Sequence, residues 1–319
     1  MQRWVVVGVS AALVMSACTP DPQRVAALPP SCPGSEEPAY AYTTASDSGV
    51  DIFGLRPDGD VVQLTQDGGS SSPSFTPDGR SIVFSRANPG RPGASSPPSA
   101  DSVWIMRADG SEPREVLRLS RVDSVSVSPD GTRLAVTGQV RTDRPDGGVY
   151  VAGIDGDGVR RVYSPPGRGE HLFGYPPAWS PDGSEVAVSI TANGRFAIYA
   201  ISVADGSWRE VTAAESVSDP SWSADGFTIS FISEVPQRGE NPYDVFTVPA
   251  TGGEPRRAAS DADAMTTSAT DGGAWLIQRQ GNDHELVLTD AEGAVDRLVL
   301  PPLEVEQIGT ATVAPCALL

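Results

Sequence analysis

One turn signature, repeated along the chain, limits what this sequence can fold into more than any other feature. Full copies are Thr76-Pro77-Asp78-Gly79, Ser128-Pro129-Asp130-Gly131 and Ser180-Pro181-Asp182-Gly183; Ser223-Ala224-Asp225-Gly226 and Ala269-Thr270-Asp271-Gly272 are weaker ones. Their glycines stand 52, 52, 43 and 46 residues apart. The residues are those of a tight reversal. Pro presets φ at about −65° for the first central position of a type I turn. Asp tolerates the second position and bonds the local backbone, and Gly supplies the positive φ by which the chain re-enters a hairpin. A short strand precedes each turn, as in Pro177-Ala178-Trp179 or Pro220-Ser221-Trp222. An alternating strand follows it, as in Ser81-Ile82-Val83-Phe84, Glu185-Val186-Ala187-Val188 or Thr228-Ile229-Ser230-Phe231.

A second series of turns is interleaved with the first: Asp58-Gly59, Asp109-Gly110, Asp155-Gly156, Asp205-Gly206, Gly252-Gly253 and Glu292-Gly293. Each follows a strand such as Ser102-Val103-Trp104-Ile105-Met106 and precedes a short outer strand such as Val62-Gln63-Leu64-Thr65 or Arg209-Glu210-Val211-Thr212. Every repeat therefore spells four antiparallel strands, and no amphipathic helix of ordinary length is visible. Gly (33) and Pro (29) are abundant enough for so many turns. The period and the strands per repeat predict an all-β fold, a six-bladed β-propeller. Six turns of the second series against five of the first leave one blade incomplete, and the chain ends supply it. Ile308 to Pro315 reads as its innermost strand and Tyr40-Ala41-Tyr42-Thr43 as the next. A ring closed by strands from both termini has no open sheet edge.

An aromatic residue, Ser-Pro-Asp-Gly, two apolar strands separated in sequence, a Gly turn and Leu-Thr follow one another in that order. This pattern is similar to the WD40-like (PD40) repeat of TolB-like propellers, and it covers residues 38–315. The resemblance implies a binding or scaffolding module that contacts an envelope protein or peptide, and not an enzyme. In the ring layout Cys316 follows the innermost strand of the closing blade and Cys32 lies just ahead of the next strand of that blade. A Cys32–Cys316 disulfide is expected, since an exported domain sits in an oxidising compartment; two free thiols are the alternative. Chain entropy alone gives such a long loop ~5 kcal/mol as an upper value.

The first residues read as a targeting segment. Arg3 and the free amine precede an apolar run from Trp4 to Val14. That run is shorter than the ~20 residues a membrane span needs and fits the core of a signal peptide. Met15-Ser16-Ala17-Cys18 resembles a bacterial lipobox, so residues 1–17 are expected to be removed and Cys18 lipidated. Residues 18–37, rich in proline, read as a flexible tether, and 38–319 as the propeller. The expected location is extracytoplasmic, with the lipid anchor as the only membrane contact.

The net charge is −18, which excludes nucleic acid as a partner, because phosphate contacts need a basic surface. All 23 basic residues are Arg. No nucleophile elbow, Walker or dinucleotide pattern is present. His171 and His284 stand outside any metal-ligand spacing. Asp155-Gly156-Asp157-Gly158 lacks the rest of a calcium loop and reads as a turn. No catalytic residue, metal or cofactor is expected, and the protein is expected to be a monomer. The competing reading is a lactonase-like metal-dependent hydrolase working in the central channel. Its only candidate ligands are Asp123 and Asp219, near the starts of innermost strands, where structural contacts are the favoured reading. Trp104, Trp179, Trp222 and Trp275 fall on strands and read as packing between blades, whereas Trp208 begins an outer strand.

Strands alternate in direction, so both series of turns share one face of the disc. The long segments 87–101, 139–147, 166–176 and 234–242 share the other. Loops on a rigid scaffold are where binding residues gather. These segments carry Arg91, Arg141, Arg144, Arg168 and Arg238, with His171, Phe173, Tyr175 and Tyr243 beside them. Arg and aromatic side chains dominate protein contact sites. The candidate partner-binding set is therefore Arg141, Arg144, Arg168, His171, Tyr175, Arg238 and Tyr243; a merely solvated loop face is the competing reading.

Overall fold

Successive side chains of a strand point to opposite sheet faces, and here both faces are buried. Along Glu185–Ala192, Val186, Val188 and Ile190 pack against the preceding sheet and Ala187 against the following one. A computed structural model describes residues 37–46, 49–56, 59–87, 100–140, 147–165, 171–192, 194–214, 216–235, 243–260, 264–267, 274–280, 283–289, 295–299 and 308–313. Among the described residues all regular structure is β, and no helix is long and apolar enough to cross a membrane.

The strands form five antiparallel sheets. The first joins Ile308–Val313 from the C-terminal end to Tyr40–Ser46, then Gly49–Leu55 and Val61–Gln63. The second has seven strands, because the long strand Arg114–Val127 serves two hairpin stacks. Its residues Arg114–Arg118 pair with Ala100–Arg107, and Arg121–Val127 pair with Arg133–Gln139. Ser70–Phe75 and Arg160–Tyr163 are the two edges of this sheet. In the third sheet the inner edge is split into His171–Leu172 and Ala178–Trp179, both pairing with Glu185–Ala192, followed by Arg195–Ser202 and Trp208–Ala214. Pro176 and Pro177 interrupt that edge, since proline has no N–H to give a ladder. The fourth sheet runs Ser218–Trp222, Thr228–Glu234, Tyr243–Pro249, Arg256–Ser260, and the fifth Ala264–Thr267, Ala274–Gln280, Asp283–Thr289, Val295–Val299. Inner strands contact one another in chain order, and Ile308–Val313 contacts both Ala264–Thr267 and Ser70–Phe75.

The first turn series owes its Ser/Thr, as well as its Asp, to a shared hydrogen-bond net. Ser128 Oγ donates to Asp130 Oδ1 at 2.5 Å and accepts the Arg133 N–H at 2.9 Å, while the Thr132 N–H donates to Asp130 at 3.0 Å. The same three bonds recur at Ser180/Asp182, Thr76/Asp78 and Ser223/Asp225. Replacing Pro by Ala224 therefore leaves the turn intact. Hydrogen bonds from Ser128, Ser180 and Ser223 hold the carboxyls of Asp130, Asp182 and Asp225 below the usual range. The Leu-Thr element has its own reason. Thr65 Oγ1 accepts the Ile52 N–H at 2.9 Å and donates to buried Asp51 at 3.0 Å, tying an outer strand to its neighbour.

Apolar clusters fill the seams between sheets. Val149, Val151, Val162 and Tyr163 of the second sheet meet Trp179, Val188, Ile190, Tyr199 and Ile201 of the third. On the other side of the third sheet, Ile198, Ala200 and Val211 meet Trp222, Ile229, Phe231 and Val248 of the fourth. Glycines of the second turn series let adjacent sheets close up. At Gly156 (φ +84) and Gly206 (φ +75) a Cβ would overlap the carbonyl oxygens of Val116 and Val162 on the preceding outer strand.

Candidate functional site

Three inner strands, Ser70–Phe75, the Arg121–Val127 half of the long strand and Ser218–Trp222, each carry a bulge near their start. The ladders shift register between Ser71 and Ser74, between Val122 and Ser124, and between Ser218 and Ser221. An extra residue in one strand re-aims its neighbours. Ser72 and Asp219 occupy the same place, each preceding a proline, and each has a left-handed backbone with φ of 52 and 48°. Such conformations cost a non-glycine residue about 1 kcal/mol or more and concentrate at functional positions. Ser124 Oγ donates to Ser72 Oγ at 3.2 Å, linking two inner strands at this level.

Two carboxyls stand among these bulges. Burial pushes the Asp219 carboxyl up to about 7, against a hydrogen bond from Ser218 that lowers it. Asp123 is also raised by burial, although Arg121 opposes the shift. The Arg121 Nη2 donates to Asp123 Oδ2 at 3.1 Å, and its Nε lies 2.8 Å from Oδ1 but out of line for a hydrogen bond. The segment after His171–Leu172 crosses directly above: a Cβ on Gly174 would sit 3.8 Å from the Asp123 Cβ. The Phe173 N–H donates to Ser189 O at 3.1 Å, which fixes that crossing. The Phe173 ring then stacks on Phe196 with centroids 5.1 Å apart and lies 6.0 Å from the ring of Tyr175, which is 38% exposed. An aromatic surface, a guanidinium and a partly desolvated carboxylate thus share one end of the molecule, the composition of a protein contact site.

Of the sequence-derived set, Tyr175 falls within this cluster. His171 lies on the strand leading into it, and Tyr243 begins a strand of the fourth sheet whose partner there is Glu234. Arg141, Arg144, Arg168 and Arg238 lie outside the described residues, as do Arg91, Cys18, Cys32 and Cys316. Phe196 and Arg121 escaped the sequence reading. The signals for them were Asn193-Gly194, a hairpin dipeptide just ahead of Phe196, and the two-residue spacing of Arg121 and Asp123 along one strand. Trp179 and Trp222 are buried between sheets as expected, and Trp208 is 46% exposed, stacked on Tyr199 with centroids 4.5 Å apart.

Comparison with known proteins places this geometry in context. The family model described as the TolB beta propeller domain matches residues 93–301, and that of the lipoprotein LpqB beta-propeller domain matches residues 6–168. Among solved structures, TolB from Acinetobacter baumannii is similar with a TM-score of 0.66 at 18% identity, over 86% of this chain and 66% of that one. A putative TolB from Agrobacterium tumefaciens gives 0.59 at 17% identity, over 83% and 89%. A chain of a nidogen/laminin complex gives 0.60 at 11% identity, over 86% and 98%. At such identities the solved structures speak for the fold alone.

Proposed function

The chain belongs to the TolB β-propeller domain family, and from that premise we propose that it is a non-enzymatic binding module of the bacterial cell envelope. In this reading residues 1–17 are a signal peptide, Cys18 carries the lipid, 18–37 form the tether, and the remainder is a monomeric six-bladed propeller. Its long-loop face docks an envelope protein or peptide. The match to a lipoprotein propeller family over a range that includes Cys18 supports the anchor. The six-bladed, closed reading draws support from the pairing of Ile308–Val313 with Tyr40–Ser46 and from the two hairpin stacks that share Arg114–Val127. A Cys32–Cys316 disulfide would lock that closure; alkylation of the domain is expected to label neither cysteine before reduction and both after it, and two labels without reduction would overturn the bridge.

The observation that carries the binding reading is the aromatic cluster Phe173, Tyr175 and Phe196 beside the Arg121–Asp123 pair. The test is photo-crosslinking in membranes from a position beside Tyr175, comparing wild type with Phe173→Ala/Tyr175→Ala and with Arg141→Ala/Arg144→Ala/Arg168→Ala. One envelope protein crosslinked in the wild type and lost in either variant supports the reading. A partner retained in both variants moves the site off this face. No crosslinked partner, together with stoichiometric metal in the purified protein, would replace the binding module with the hydrolase.

A further inference from the structure

On the face that carries the turns, opposite the proposed partner site, a groove of about 540 Å³ opens at the seam between the second and third sheets. Arg133 and Arg160 of the second sheet line one wall, and Ser184, Glu185, Val203 and Ala204 of the third line the other. The size is that of a small-ligand site.

The next seam shows what is unusual here. Arg133 and Glu185 hold the same place in successive repeats: each opens a second strand, and the N–H of each donates to the serine of its turn. Arg160 and Arg209 likewise correspond. Arg160 Nη2 donates to Val203 O at 2.5 Å and Arg209 Nη2 to Ala250 O at 3.0 Å, and the N–H of both acceptor residues bonds the matching turn carbonyl, Ser184 O and Phe227 O. In the third sheet Glu185 and Arg209 form a two-pronged ion pair. In the second sheet the acid is replaced by Arg133, so two guanidinium groups line the groove where the neighbouring repeat has a salt bridge.

The carboxylates nearby are already engaged. Asp130 takes the Arg133 Nη2 at 3.2 Å, Asp182 is held by Ser180 and Ser184, and Glu185 by Arg209. Arg133 is held between Asp130 and the Trp179 ring, with its Cζ 4.9 Å from the centre of that ring. That clamp fixes the orientation of its remaining N–H edge at little further entropic cost. Arg160 is exposed, and the Val203 carbonyl takes one of its five N–H groups. Fixed guanidinium groups beside a cavity recognise oxyanions through paired N–H donors.

We propose that this groove is a binding site for a small oxyanion, a carboxylate or phosphate group seated between Arg133 and Arg160. The ligand supplies the negative charge that Glu185 supplies one repeat further on. The site is independent of the partner-binding face.

The test is calorimetric titration of the purified protein with succinate and, separately, with inorganic phosphate, at constant ionic strength with chloride as the reference salt. Saturable binding is expected, weakened about tenfold or more in Arg160→Gln and abolished in Arg133→Glu. Arg133→Glu recreates the salt bridge of the third sheet and so should fold; Arg133→Gln, with its unfolding midpoint recorded, serves if it does not. Binding of succinate alone assigns a carboxylate ligand, and binding of phosphate alone assigns a phosphate ligand. No binding beyond that of chloride overturns the proposal, as does equal binding by wild type and the folded variants.

Discussion

The seams on the two sides of the third sheet are built from the same repeat, yet they differ. Toward the second sheet, Arg133 lies over Trp179, Gly206 is pressed against the Val162 carbonyl, and a groove opens between two arginines. Toward the fourth, Glu185 neutralises Arg209, Trp222 packs without a polar partner for its Nε1, and Gly252 has more room. Repetition fixes the backbone of such a seam, and single side chains decide whether it is a sealed contact or a site.

The largest expected difference lies in the glycines. Gly206 and Gly252 both have positive φ, +75 and +94, but a Cβ would overlap Val162 O at the first and lie 3.3 Å from Val211 O at the second. Gly206→Ala should cost about 3 kcal/mol or more, and Gly252→Ala about 1–2 kcal/mol. Urea unfolding of the two variants measures this; equal losses would mean that the seams are packed alike.

Tryptophan removal should separate the seams next. Trp179→Phe puts a smaller, less electron-rich ring beneath Arg133 and removes the 3.4 Å bond to Ser126 O, whereas Trp222→Phe forfeits no hydrogen bond. The first should be the more costly by about 1 kcal/mol, read from denaturation midpoints. The ion pair ranks third. Glu185→Gln should cost about 1 kcal/mol at low salt and less at high salt, because both partners are partly exposed; thermal unfolding at two salt concentrations distinguishes the cases.

The effects of pH carry opposite signs in the turns and at the bulges. Hydrogen bonding, first from Ser202, lowers Asp205 to about 2, and the turn carboxyls Asp130, Asp182 and Asp225 are lowered by their serines. Their contribution is complete above the unfolded value of about 4 and is lost as pH falls toward about 2. Asp219, raised to about 7 by burial, does the reverse. Its contribution is complete below about 4 and is lost as pH rises through about 7. Relative to Asp219→Asn, the wild type should therefore lose stability between pH 4 and 7. Midpoints that run parallel over that range would show Asp219 to be solvated.

Much of the fold was legible because its signals are local. Pro, Asp and Gly act within one turn, and strand alternation acts within one strand, so the repeats and the junction of Ile308–Val313 with Tyr40–Ser46 could be read from spacing alone. The fusion of two hairpin stacks through Arg114–Val127 was less legible: the sequence gives no stop between Arg118 and Arg121, and no start either. Of the candidate site, Tyr175 was identifiable as an aromatic residue on a long segment. Its contact set through Phe173 to Phe196 spans a hairpin, and that depends on how the third sheet pairs.

By itself, the sequence determined the class of the fold, its period and the face on which each kind of turn falls, since these follow from backbone preferences and a two-residue alternation. Only the tertiary structure decided which charges meet. Arg133, Arg160, Glu185 and Arg209 are four surface residues in a linear reading. Strand pairing within the third sheet makes the last two a salt bridge, and strand pairing within the second leaves the first two along a groove, because charge pairing depends on distances of a few ångströms between residues far apart in the chain.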